Sequence, residues 1–122
     1  MDEFAGSVPR TRTLVWDVTD LDDPVVLTEF LGTTAATDHN LYINDRYMYQ
    51  SNYVAGLRII DVADPRNPVE VGYFDTVPFG ENVPGFAGSW SNYPFFKSGT
   101  IIVTSMREGL FVLKKRQTPV LP

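Results

Sequence analysis

The chain has no cysteine, one histidine and no long apolar run. Without cysteine there is no disulfide, no thiolate metal site and no cysteine nucleophile, and either redox compartment stays open. One histidine cannot build a multi-histidine metal site within the chain. No apolar stretch approaches the roughly 20 residues that cross a bilayer as a helix, so no transmembrane segment is expected. The opening Met1-Asp2-Glu3-Phe4 is acidic and lacks the basic and apolar regions of a signal peptide, so no export signal is expected here. Basic residues are outnumbered 10 to 15, and the net charge of −5 disfavours non-specific binding to nucleic acid or anionic lipid. No glycine pattern of a nucleophile elbow surrounds a serine, and no glycine-rich phosphate loop occurs. No catalytic residues and no cofactor are therefore expected. The local cluster Lys114, Lys115 and Arg116 reads as a solvated tail.

What the chain does have is aromatic residues, turn formers and internal repetition. Aromatics make up 13% of it, and tyrosine and phenylalanine suit pleated, half-buried surfaces. Nine glycines and nine prolines imply many turns. Asp17-Val18-Thr19-Asp20, leading to Pro24-Val25, recurs as Asp61-Val62-Ala63-Asp64, leading to Pro68-Val69, an offset of 44 residues. Each copy continues into a strand-like run that ends in Phe30 or Phe74. A second correspondence sets Asn40-Leu41-Tyr42-Ile43 and Gly56-Leu57-Arg58-Ile59-Ile60 against Tyr93-Pro94-Phe95-Phe96 and Gly109-Leu110-Phe111-Val112-Leu113. Its offset is 53, and the additional residues are expected in the irregular stretch between Asp75 and Trp90.

Chained together, these matches give a unit of four short strands: A at Asn40–Ile43, B at Tyr47–Tyr53, C at Leu57–Val62 and D at Val69–Asp75. Asn44-Asp45-Arg46 and Val54-Ala55-Gly56 suit hairpin turns. A period of about 40–50 residues with four strands per unit predicts a propeller. The expected fold is all-β, a partial β-propeller of four-stranded antiparallel blades, about two and a quarter blades and nine strands. Residues 1–12 form an N-terminal extension, 13–115 the partial propeller and 116–122 a C-terminal tail. The propeller opens with strands C and D of one blade (Thr13–Val18 and Val25–Leu31). One full blade follows at 39–75. Strands A, B and C of a third close it (Tyr93–Phe96, Thr100–Ser105 and Leu110–Lys114).

Three runs in the first part of the chain resemble the C-terminal part of the choice-of-anchor B proteins, which carry LVIVD-type repeats. They are Thr37-Asp38-His39-Asn40-Leu41-Tyr42, Tyr49-Gln50-Ser51-Asn52-Tyr53 and Gly56-Leu57-Arg58-Ile59. Gly88-Ser89-Trp90-Ser91-Asn92-Tyr93-Pro94, Ser98-Gly99 and Arg107-Glu108-Gly109-Leu110-Phe111-Val112-Leu113 extend the resemblance over roughly residues 10–114. It implies a bacterial-type propeller protein, extracellular or on the cell surface, often with an anchoring tail. This chain departs from that pattern in lacking the signal peptide, the earlier blades and an anchor.

His39 lies just before strand A, the innermost strand of a blade, so Asp38, His39 and Asn40 are expected near the central channel. Asp17, Asp20, Asp22 and Asp23 lack the central glycine and terminal glutamate of a calcium loop. Aspartates at these repeat positions suit turns in which their side chains accept backbone N–H bonds. Thr76–Ser89 is a long loop of the kind that carries binding. Phe79 and Phe86 either stand out as contacts or fold back over the blade. Tyr47, Tyr49 and Tyr53 share one face of strand B and read as core. Candidate ligand-binding residues are Asp38, His39, Asn40, Glu81, Asn82, Trp90 and Asn92.

The expected function is non-catalytic binding of a protein or a glycan. The competing expectation is an enzyme or metal-dependent site in the channel, using Asp38 and His39. Further expected partners are the rest of the propeller or other copies of the chain, because the first blade lacks strands A and B and the last lacks strand D.

Overall fold

The computed structural model describes residues 9–116. Nine strands follow in order: β1 Arg12–Asp17, β2 Val25–Leu31, β3 Asn40–Asn44, β4 Tyr47–Ser51 and β5 Leu57–Asp61, then β6 Val69–Phe74, β7 Ser89–Tyr93, β8 Thr100–Ser105 and β9 Gly109–Lys114. No helix occurs among the described residues. The strands form three antiparallel sheets in the orders β1-β2, β3-β4-β5-β6 and β7-β8-β9. The fold is all-β.

The two-residue alternation of β4 and β5 sends apolar side chains to both faces of the middle sheet. Met48 and Ile60 point one way and meet Phe30 of β2, with Leu41 and Val62 alongside. Tyr49 and Leu57 point the other way and meet Ile101 and Val103 of β8, flanked by Phe74 and Phe111. The middle sheet is thus packed on both faces by its neighbours. Ile60 and Val103 are fully buried, and each such side chain contributes about 1.5–3 kcal/mol.

The repeated aspartates organise the turns. Asp17 accepts the N–H of Thr19 at 2.9 Å, and its counterpart Asp61 accepts that of Ala63 at 3.0 Å. Asp20 accepts the N–H of Asp22 at 3.0 Å, and its counterpart Asp64 accepts that of Arg66 at 3.0 Å. One side-chain-to-backbone turn is built twice, 44 residues apart, as the sequence pattern predicts.

Two expected strands move by more than one residue. Strand A of the third sheet is β7, Ser89–Tyr93, rather than Tyr93–Phe96. Pro94 has no N–H to give a ladder, so the strand ends before it. The additional residues lie partly in the turn at 94–99, where Ile102 pairs with Tyr93, instead of wholly before Trp90. Strand B stops at Ser51. Tyr53 takes a left-handed φ of 42° and leaves the row of Tyr47 and Tyr49.

Candidate functional site

The start of β3, the end of β4 and the start of β7 meet at one end of the sheets. His39 is fixed there by its own backbone, whose N–H donates to the Ser51 carbonyl at 2.9 Å. Asn40 donates from Nδ2 to the Trp90 carbonyl at 3.1 Å, joining β3 to β7. The His39 ring then lies 4.2 Å from the Trp90 ring and 5.2 Å from that of Tyr53. Phe86 meets Tyr53 edge-on at 5.4 Å, and Trp90 meets it edge-on at 6.2 Å. Three rings therefore cluster around Tyr53. Tyr53 is buried beneath, while Trp90 is 45% exposed and Phe86 60% exposed.

Tyr53 holds this arrangement through its backbone. Its carbonyl accepts the N–H of Gly56 at 2.9 Å and the N–H of Ser89 at 2.8 Å. The first bond closes the β4–β5 turn and the second ties the third sheet to the middle one. Gly88 makes the approach possible, since a Cβ on it would lie 2.5 Å from the Tyr53 carbonyl oxygen. Its φ of 92° is also one that side chains strain against.

The loop between β6 and β7 is anchored onto this end by Gly85, whose N–H donates to Thr37 Oγ1 at 3.0 Å. That bond brings Phe86 over Tyr53, so Phe86 folds back onto the cluster and keeps an exposed edge. Phe79 stands wholly in solvent. Glu81 is exposed and Asn82 half-buried in the same loop.

The remaining candidates play different parts. Asp38 is fully buried beside His39. Asn92 is 6% exposed and donates from Nδ2 to Ser51 Oγ at 2.9 Å and the Tyr49 carbonyl at 3.3 Å, which clamps β7 onto β4. Among the described residues there is no group of three or more histidine, cysteine, aspartate or glutamate side chains placed to hold a metal ion.

No family model, no curated protein and no solved structure matches the chain.

Two further features were not legible beforehand. Tyr53 reads from the sequence as one more residue in a strand row, yet it is the hub of the ring cluster. The signal for this is the Val54-Ala55-Gly56 turn that follows at once and demands left-handed backbone near Tyr53. Lys115, expected in a solvated tail, sets its Nζ 3.6 Å from the Tyr47 ring centroid and 5.1 Å from that of Tyr49. Its ammonium shields the side of the core where the middle and third sheets part.

Proposed function

We propose that the chain is a non-catalytic repeat module, part of a β-propeller, that binds glycans through the rings at the start of β3 and β7. The observation that carries this reading is the contact of His39 with Trp90, ring centroids 4.2 Å apart and planes tilted by 51°, with Trp90 still 45% exposed. A half-exposed indole held rigid by neighbouring rings offers a flat apolar face, and a sugar ring presents a matching face of C–H groups. Preorganised rings lose little side-chain freedom when a ligand arrives. The left-handed Tyr53 beneath them is a conformation that costs of order 1–3 kcal/mol, and such residues concentrate at binding sites. Glu81 and Asn82, on the loop that carries Phe86, supply polar groups for sugar hydroxyls.

The propeller reading draws support from the repeated turn, from the four-strand unit and from a middle sheet packed on both faces. The resemblance to choice-of-anchor B proteins supports a setting at a cell surface or outside the cell, where glycans are met. A glycan array probed with the wild-type chain and with Trp90→Ala tests the reading. Binding by the wild type that disappears in a folded Trp90→Ala variant supports it. Equal binding by both, or binding to no glycan, rejects it.

A further inference from the structure

Two exposed rings, not one, rest on Tyr53. Trp90 is 45% exposed and Phe86 60% exposed. Their ring centroids lie 6.2 Å and 5.4 Å from that of Tyr53, and their planes meet it at close to a right angle, 79° and 80°. No ring contact joins Phe86 to Trp90 among the described residues, so the two stand apart on a shared support. Their separation cannot exceed the two distances taken together, a span that neighbouring or next-neighbouring sugars of one chain cover.

Each ring is held by its own contacts. Trp90 packs against His39 at 4.2 Å, and its carbonyl accepts from Asn40 Nδ2 at 3.1 Å. Phe86 is held through its chain neighbours. On one side the Gly85 N–H donates to Oγ1 of the buried Thr37 at 3.0 Å. On the other, Gly88 lies close against the Tyr53 carbonyl. Anchored on both sides, this stretch of the β6–β7 loop presents Phe86 in a fixed place, and a fixed ring loses little freedom when a ligand arrives.

Charge narrows the ligand further. The segments that carry and frame the rings, 37–40, 52–56 and 76–92, hold two acidic residues, Asp38 and Glu81, and no lysine or arginine. The β8–β9 turn reaches this end through Met106, whose N–H donates to the Gly88 carbonyl at 2.9 Å. It brings Arg107 together with Glu108, one charge of each sign. No surplus positive charge awaits the carboxylate, sulfate or phosphate groups of an acidic glycan, and the net negative charge opposes them.

We propose that the site takes an uncharged, β-linked hexose chain, with one sugar on Trp90 and another on Phe86. The proposal rests on the glycan reading of Trp90 and adds Phe86 as a second subsite. A hexose with equatorial substituents turns axial C–H groups outward on both faces. Successive units of a cellulose-type chain therefore each offer a flat apolar side to a ring. A sugar seated on Trp90 holds its neighbours at high effective concentration beside Phe86, so the second contact adds affinity without a second association.

Cello-oligosaccharides of one to six units test this, titrated against the Trp90 emission of the whole chain in a Trp16→Phe background. Affinity should rise about tenfold or more between one unit and three, then level off once both rings are covered. Phe86→Ala should weaken the three-unit chain about tenfold, far more than the single sugar, and Phe86→Tyr should keep the rise. A carboxymethylated chain should bind more weakly than the neutral chain of equal length. The length series leaves Phe86 and Trp90 unaltered, so a misfolded variant cannot mimic it. Equal affinity at every length overturns the proposal. So does a Phe86→Ala change that weakens all lengths alike, or tighter binding of the carboxymethylated chain. If no cello-oligosaccharide binds while another glycan on the array requires Trp90, this proposal fails and the glycan reading stands. Binding to no glycan at all rejects both.

Discussion

Arg58 Nη1 lies 3.1 Å from Glu70 Oε1, an ion pair between β5 and β6 on the face of the middle sheet that looks toward the first sheet. Arg58 is 6% exposed and makes three further contacts. Its Nε donates to the Ala55 carbonyl at 3.0 Å, its Nη1 also reaches Thr33 Oγ1 at 3.3 Å, and its guanidinium lies 4.8 Å from the Tyr73 ring centroid. Thr33 in turn donates to Glu70 at 3.1 Å. The pair thus also holds the chain leaving β2 against the middle sheet. Removing one partner leaves the other charge in a poorly solvated place, at a cost of about 3–5 kcal/mol. Arg58→Met should lower stability in urea by that order, and Arg58→Met with Glu70→Leu should recover much of it. A single variant that unfolds like the wild type would show the pair to be solvated.

Gly88→Ala should be the more damaging of two small changes in the β6–β7 loop. The new methyl would press on the Tyr53 carbonyl and strain a backbone at φ 92°. Gly85→Ala meets no neighbouring atom, although its φ of 151° also strains a side chain. A loss of a few kcal/mol is expected for Gly88→Ala. Near-ultraviolet circular dichroism should show the Trp90 signal weakened, because Gly88 sets the path into β7. Equal melting temperatures for the two variants would contradict the close approach.

Stability should fall in acid through three carboxylates. The Thr19 side chain and N–H hold Asp17 below its ordinary 3.8. Arg46 and then the Ala63 N–H hold Asp61 below the same value. The Ser105 hydroxyl holds Glu108 below its ordinary 4.5. A carboxylate with a depressed pKa adds stability that is complete above its unfolded value and drains away as pH falls through the folded one. Thermal melts should therefore vary little with these groups above their ordinary values and decline below them. Asp61→Asn should flatten that decline. An unchanged acid slope in the variant would remove Asp61 from the account.

Most of the strand plan could be read from the sequence, because period-two apolar runs and aspartate turns are local signals. The matched pairs Asp17 with Asp61 and Asp20 with Asp64 made the repeat legible, and the structure builds the same turn at both. The third sheet misled because Tyr93-Pro94-Phe95-Phe96 resembles Asn40-Leu41-Tyr42-Ile43 in apolar character, while Pro94 ends the ladder. Of the site, His39, Asn40 and Trp90 were named from sequence, and the structure brings them together. Tyr53 was missed because its role depends on a backbone turn, and the Arg58–Glu70 pair because it depends on which strands become neighbours. Asn92 was named, and it lies buried between β7 and β4.

The outward faces of the two outer sheets predict association. Leu14, Trp16, Val26 and Leu31 are exposed on the first sheet, and Leu110 and Val112 on the third. Their repeat counterparts in the middle sheet are packed. Light scattering should give a mass above the 13.7 kDa of one chain. Trp16→Glu with Val112→Glu should lower that mass. A monodisperse single chain with a cooperative melt would show that these faces need no partner.

The most direct test of the binding account is a fluorescence titration of Trp90 in a Trp16→Phe background, with a glycan selected on the array. A ligand that stacks on the indole should shift its emission saturably, and His39→Ala should weaken the affinity while leaving the fold intact. The His39 N–H bond to Ser51 belongs to the backbone and survives that change. Losing the two ring pairs, with Tyr53 and with Trp90, should cost only about 1–3 kcal/mol of stability. Emission that stays fixed while the same glycan binds, by calorimetry, would place the site elsewhere and contradict the account.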